Sequence, residues 1–165
     1  MSMPNPCSGC SAPCCRDYLI TLTSFDVRRI AENTGKKPEE FAFLSPANLL
    51  NLNEYTILGC YEKKERYEYL LALKSHSCIF LDKNNRCKIH EFAPYICRSY
   101  PHTSEGKILG RARCSPLRKA GFRLAGASIP KEEYSRQINE YMKVVKEWNR
   151  KKGTKEECWE FLFRD

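Results

Sequence analysis

Cys7-Ser8-Gly9-Cys10-Ser11-Ala12-Pro13-Cys14-Cys15 governs how the rest of this sequence is read. A Cys-x-x-Cys pair lets two thiolates on one tight turn reach a single ion, the geometry of zinc knuckles and of iron–sulfur loops. Cys14 and Cys15 are adjacent, and in an extended backbone successive side chains point to opposite sides. Each then faces a different site, or the pair spans one polynuclear centre. Four further cysteines, Cys78, Cys87, Cys97 and Cys114, complete a candidate ligand set of eight with Cys7, Cys10, Cys14 and Cys15. Eight thiols divide into two sets of four, the number that each common centre requires. The spacing leaves the division open.

The chain has 165 residues, 10 of them cysteine, with 42% hydrophobic and 29% charged residues. That length suits one ordinary domain. No stretch approaches the roughly 20 apolar residues that cross a bilayer, and Met1 to Arg16 lacks the apolar run of a secretory signal. A cytoplasmic, reducing setting is therefore expected, where clustered thiols are metal ligands or redox groups. Disulfides are the alternative, and a hyperthermophile's interior is the setting that would keep them. The formal charge is +8. Eight thiolates on two divalent ions would bring it to about +4, so part of the basic excess balances the sites.

The organisation implied is α+β, a small irregular metal-stapled domain with short strands and helices and with C-terminal helices packed against it. Residues 1–127 form the cysteine-cluster part, and residues 128–165 a helical extension of the same domain. Pro6 to Arg16 carries little regular structure. Tyr18 to Leu22 and Tyr67 to Leu73 read as strands. Ser24 reads as a helix cap before Phe25, Val27, Ile30 and Ala31, with Gly35 ending that helix. Pro38-Glu39-Glu40 opens a second short helix, and residues 45–65 carry no clear pattern. Phe80 to Ile89 suggests a hairpin around Asp82-Lys83-Asn84-Asn85-Arg86. Phe92 to Tyr100 reads as a short helical or turning segment closed by Pro101, and residues 107–113 could add a strand. Ser128 and Pro130 open a helix to about Lys152 with Tyr134, Ile138, Tyr141, Val145 and Trp148 on one face, ended by Gly153. Thr154 and Glu157 form a capping box for the last helix.

Beyond the eight, Cys158 sits on an apolar helix face and reads as a buried hydrophobe, and Cys60 also lies outside the pattern. His76, His90 and His102 fall near the cysteines and could each replace a thiol, but hydrogen-bonding roles are commoner for such histidines. Gly106 to Lys131 contains no acid and carries Lys107, Arg111, Arg113, Arg118, Lys119, Arg123 and Lys131 around Cys114. Positive side chains there lower a thiol's pKa and stabilise an anionic metal site. The competing reading of residues 106–131 is a site for a phosphate-bearing ligand, a nucleic acid or an acidic protein. Phe122 alone supplies an aromatic ring within the stretch, which argues against base stacking on nucleic acid.

One zinc knuckle and four widely separated cysteines lean toward an iron–sulfur cluster, with zinc as the alternative. Three functions follow: a redox or electron-transfer protein, an enzyme or enzyme component with an open ligand position, or a zinc-stapled binding module with no catalysis. No Ser-His-Asp set, paired-acid motif, His-Glu-x-x-His sequence or Rossmann-type glycine loop names a catalytic residue.

Cys7-x-x-Cys10-x-x-x-Cys14-Cys15, Leu22-Thr23-x-x-Asp26, Cys78-Ile79-Phe80-Leu81-Asp82, Cys87-Lys88-Ile89-His90 and Pro94-Tyr95-Ile96-Cys97-Arg98-Ser99-Tyr100-Pro101 together resemble the YkgJ-type cysteine-cluster proteins. The resemblance covers roughly residues 7–115 and implies a zinc- or iron-chelating domain. The flagellin lysine methylases look similar in their cysteine cluster, which there accompanies an iron–sulfur centre and S-adenosylmethionine. This chain is much shorter than those enzymes. The Arg that often precedes the family's Pro is Ala93 here.

Overall fold

In the computed structural model of the chain, the described residues are 10–49, 56–74, 77–109, 113 and 129–164. They form six α-helices and a three-stranded antiparallel sheet, an α+β arrangement. The boundary expected at residues 127–128, and Ser128 with it, lies outside the described residues.

The sheet is built from β1 (Ala42–Pro46), β2 (Leu58–Glu62) and β3 (Glu65–Leu73), with β3 in the middle. β2 pairs with the first half of β3, from Leu58↔Tyr69 to Glu62↔Glu65. β1 pairs with its second half, from Ala42↔Leu73 to Pro46↔Tyr69. The reading of residues 45–65 missed this hairpin for a local reason. Its two-residue turn is Lys63-Lys64, both at positive φ (47° and 74°), a conformation usually signalled by Asn-Gly or Asp-Gly.

Tyr18 to Leu22 makes one bridge, Thr21↔Ala72, rather than a strand. Leu22 N donates to Leu71 O and Leu73 N to Ile20 O, both at 2.8 Å. β2 occupies the same edge of β3 as far as Tyr69, and a helix begins at Ser24, so no room remains for a longer ladder. The stretch expected to be irregular contains α1 (Pro13–Asp17). Pro13 suits a first helical turn, because its missing N–H would have had no partner there.

α2 (Ser24–Thr34) is capped by Thr23, not Ser24. Thr23 Oγ1 accepts Asp26 N at 3.1 Å while Asp26 Oδ2 accepts Thr23 N at 3.0 Å, a complete capping box. The helix buries Val27 and Ile30, leaves Phe25 partly exposed, and ends at Gly35 with φ 67°. α3 (Pro38–Phe41) leads directly into β1.

The expected hairpin at residues 80–89 is one bridge, Leu81↔Cys87, closing a loop around Asp82. Asp82 Oδ1 accepts Asn84 N and Arg86 N, each at 2.8 Å, so side chain and backbone fix the turn without strands. A 3₁₀ turn (His90–Phe92) and α4 (Tyr95–Ser99) follow. Within residues 107–113 the described part makes a single bridge, His102↔Ile108, and residues 110–112 lie outside the description.

α5 (Lys131–Lys151) buries Tyr134, Tyr141, Val145 and Trp148, and α6 (Lys155–Phe163) buries Cys158 and Leu162. Their side chains join Val27, Ile30, Phe41, Leu44, Leu58, Leu71 and Leu73 in one core. The outer edge of β2 is closed by α5. Asn149 donates to Ile57 O at 2.9 Å and accepts Gly59 N at 2.7 Å, while Trp148 Nε1 donates to Gly59 O at 2.9 Å. A covered edge cannot template intermolecular pairing. α5 ends on Lys152 at positive φ rather than on Gly153. Gly153 instead allows the close approach of Trp148, whose Cη2 would lie 2.5 Å from an added Cβ. Thr154 and Glu157 form the expected capping box of α6. Among the described residues no helix is long and apolar enough to cross a membrane.

Candidate metal centre

Three segments, far apart in sequence, bring five thiols into one neighbourhood. Cys14 and Cys15 come from α1, Cys78 and Cys87 from the two ends of the Asp82 loop, and Cys97 from the middle of α4. Each is half-buried. The charge of Cys14 is felt at Cys15, Cys78, Cys87 and Cys97 alike, and Cys97 also feels Cys78 and Cys87.

Backbone contacts hold the three segments together. Cys78 N donates to Cys15 O at 2.9 Å, and Cys15 N to Ala12 O at 3.1 Å. Ala12 sits at φ 55°, bending the chain between Cys10 and α1. Arg16 reaches from α1 to Ser77 Oγ at 3.3 Å and to Asn85 Oδ1, tying α1 to the loop that carries Cys78 and Cys87. Cys10 is half-buried and precedes this bend in sequence, whereas Cys7 and Cys114 lie outside the described residues. Arg113, next to Cys114 in sequence, donates its backbone N–H to Tyr100 Oη at 2.7 Å and pairs with Asp17 at the end of α1.

A charge network fixes α4, and it is the part of the site that the sequence reading did not assign. Asp26 is 3% exposed. Its Oδ1 accepts Tyr95 N at 3.2 Å, Gln137 Nε2 at 3.1 Å and the guanidinium of Arg29. Arg29 also donates to the carbonyls of Phe92 and Ala93 at 3.3 Å and lies over the Tyr95 ring at 4.2 Å. One buried carboxylate therefore joins the start of α2, the start of α4 and the first third of α5. The Leu22-Thr23-x-x-Asp26 spacing could have signalled the cap, but the partners from residues 95 and 137 are tertiary.

The thiols are poised against one another. A hydrogen bond with Cys15 lowers Cys14 to about 7, and the same bond with burial pushes Cys15 up. Burial raises Cys78 and Cys87, and for Cys97 burial plus the charges of Cys78, Cys87 and Cys14 raise it well above the ordinary range. Ionising these half-buried thiols together would set like charges against one another, and a soft cation among them would relieve both that repulsion and the cost of burial. The donor set is all sulfur, which suits zinc or iron and not magnesium or calcium. Among the described residues no three such donors converge tightly enough to hold a single ion as they stand.

The histidines stand differently. His102 is 9% exposed, with Nδ1 3.2 Å from Ser99 O. His90 is held below the usual imidazole range by burial and then by Arg98. His76 lies outside the described residues. In the basic stretch, Lys107 pairs with Glu105 at 2.8 Å and Arg113 with Asp17, while Arg111, Arg118, Lys119 and Arg123 lie outside the description.

The sequence model of the CxxCxxCC family, described as a putative zinc- or iron-chelating domain, matches residues 6–115. The chain belongs to this family. All eight candidate ligands fall within the match, whereas Cys60 shares it and Cys158 does not. The family pattern CxxCxxCC has two residues before the Cys-Cys pair where this chain has Ser11, Ala12 and Pro13, the segment of the left-handed bend. No curated protein and no solved structure matches the chain. The chain therefore carries a cysteine-cluster domain of a family described as zinc- or iron-chelating.

Proposed function

We propose that Cys7, Cys10, Cys14, Cys15, Cys78, Cys87, Cys97 and Cys114 hold an iron–sulfur centre, and that the protein serves redox chemistry, as an electron carrier or as the cluster-bearing component of a modification enzyme. The observation that carries this is the gathering of five thiols, including the adjacent pair Cys14 and Cys15, into one neighbourhood. One tetrahedral zinc takes four ligands, so five thiols that share one neighbourhood favour a polynuclear centre over a single zinc. Arg113, the residue before Cys114 in sequence, is held beside α1, which supports keeping Cys114 in the set.

When bound, the cluster would supply one-electron chemistry. The protein's own part is to hold the thiols half-buried, to pin α4 through Asp26 and to pin the Asp82 loop through Arg16. Such outer contacts orient ligands and tune the centre. The expected setting is cytoplasmic.

Anaerobic purification followed by metal analysis, acid-labile sulfide and a visible spectrum tests the reading. Several irons per chain with matching sulfide and a broad band at about 400 nm support it. About two zincs and a colourless protein would replace it with a structural zinc module whose metal serves folding alone. A metal-free, folded chain with its cluster cysteines in disulfides would overturn both.

A further inference from the structure

Cys60 and Cys158 stand apart from the thiol neighbourhood and meet in the core. Cys60 lies in β2 and Cys158 in α6, each 0% exposed, and both belong to the central apolar cluster. Each thiol perturbs the other directly across the contact between α6 and β2. They sit where the last helix is laid against the sheet. α6 is nine residues long. Apart from its packing, it is tied down by its capping box and by Arg28 Nη2 donating to Leu162 O at 3.1 Å. A covalent link at this point would fasten the carboxyl end of the chain to the edge strand.

We propose that Cys60 and Cys158 are a disulfide-forming pair, oxidised by exchange with a small-molecule disulfide and reopened by a small thiol, which locks α6 onto β2. The Cys60 thiolate attacks one sulfur of the small disulfide, forming a mixed disulfide and expelling one thiolate. The Cys158 thiolate then attacks the Cys60 sulfur, closes the protein disulfide and expels the second. Two protein thiols are oxidised, one small disulfide is reduced to two thiols, and the two protons pass to solvent or to the departing thiolates. Because both sulfurs are fully buried, exchange proceeds when α6 lifts, so the closed state resists casual oxidation and reduction. The pair is independent of the metal reading, since neither sulfur belongs to the eight proposed ligands.

The test uses the full chain with its metal, equilibrated anaerobically in glutathione and glutathione disulfide mixtures. Free thiols are alkylated under denaturing quench, and the chain is digested without reduction for mass mapping. A Cys60–Cys158 linked peptide should grow with the disulfide fraction and vanish on adding dithiothreitol. The unfolding midpoint should rise with it by about 5–10 °C, because the link closes a long loop. C60A and C158A should show neither link nor shift. Alkylation of both thiols at every mixture would overturn the proposal, as would a link from either residue to another cysteine or a link with an unchanged midpoint. If a variant fails to fold, the wild-type peptide map and midpoint decide alone.

Discussion

The backbone N–H of Tyr95 donates to Oδ1 of Asp26 across 3.2 Å, and this bond sets the start of the helix that carries Cys97. Asp26 is also the acid of the α2 capping box. One carboxylate thus serves a local turn and a tertiary joint. Asp26→Ala would leave the Thr23 and Tyr95 N–H groups without their acceptor and strand the charge of Arg29. The expected loss is about 3–5 kcal/mol in chemical denaturation. Asp26→Asn keeps an acceptor oxygen, and should lose less while still weakening metal retention under chelator challenge.

In the proposed ligand set, Cys97→Ser should reduce metal content by at least half, because a serine oxygen is a poor substitute for a soft thiolate. The C60A/C158A double variant should keep full metal content. Elemental analysis of purified chains separates these outcomes, and equal metal loss in both would refute the division between cluster and core thiols.

Stability of the metal-free chain should depend on pH in a direction fixed by the thiols. Cys78, Cys87 and Cys97 are raised above the ordinary value of 9.0 in the fold, so the fold binds their protons more tightly than the unfolded chain does. Their contribution is complete below about 9 and is lost as pH rises beyond it. Cys14, lowered to about 7, acts in the opposite sense: its contribution is present above 9 and lost as pH falls through 7. Cys15 is raised as well, so four groups stand against one, and the metal-free midpoint should fall above pH 9. In the metal-loaded chain the ligands are already thiolates, and that alkaline loss should be absent. Thermal scans across pH, with and without metal, give the comparison.

Gly153→Ala would place a methyl group 2.5 Å from Trp148 Cη2 and 2.7 Å from Glu157 Oε2. The indole is held by its bond to Gly59 O, so it has little freedom to yield. Overpacking of this kind costs about 1–3 kcal/mol. A thermal midpoint equal to wild type would show that the contact relaxes without cost.

Tyr141 is 1% exposed, and its hydroxyl finds no hydrogen-bond partner among the described residues. Tyr141→Phe removes an unpaired polar atom and keeps the ring. It should be neutral or stabilising by up to about 1 kcal/mol. A loss larger than that in urea denaturation would mean that the hydroxyl is bonded in solution.

What the sequence determined by itself was local. The capping box of Thr154 and Glu157, the stop at Gly35, the α5 face of Tyr134, Tyr141, Val145 and Trp148, and the eight-cysteine pattern all follow from spacing over a few residues. Where a reading failed, the deciding partner was remote or the signal unconventional. Lys63-Lys64 makes a tight hairpin turn without a glycine, so no local signal joins β2 to β3. Tyr18 to Leu22 has strand-like residues, but β2 already holds most of that edge of β3. Only the tertiary structure brought Cys14, Cys15, Cys78, Cys87 and Cys97 together, placed Asp26 under α4 and set Cys60 against Cys158. Residue spacing reports what lies within a turn or two of the chain, whereas which distant thiols share a neighbourhood depends on how the helices and the sheet bury their apolar faces together.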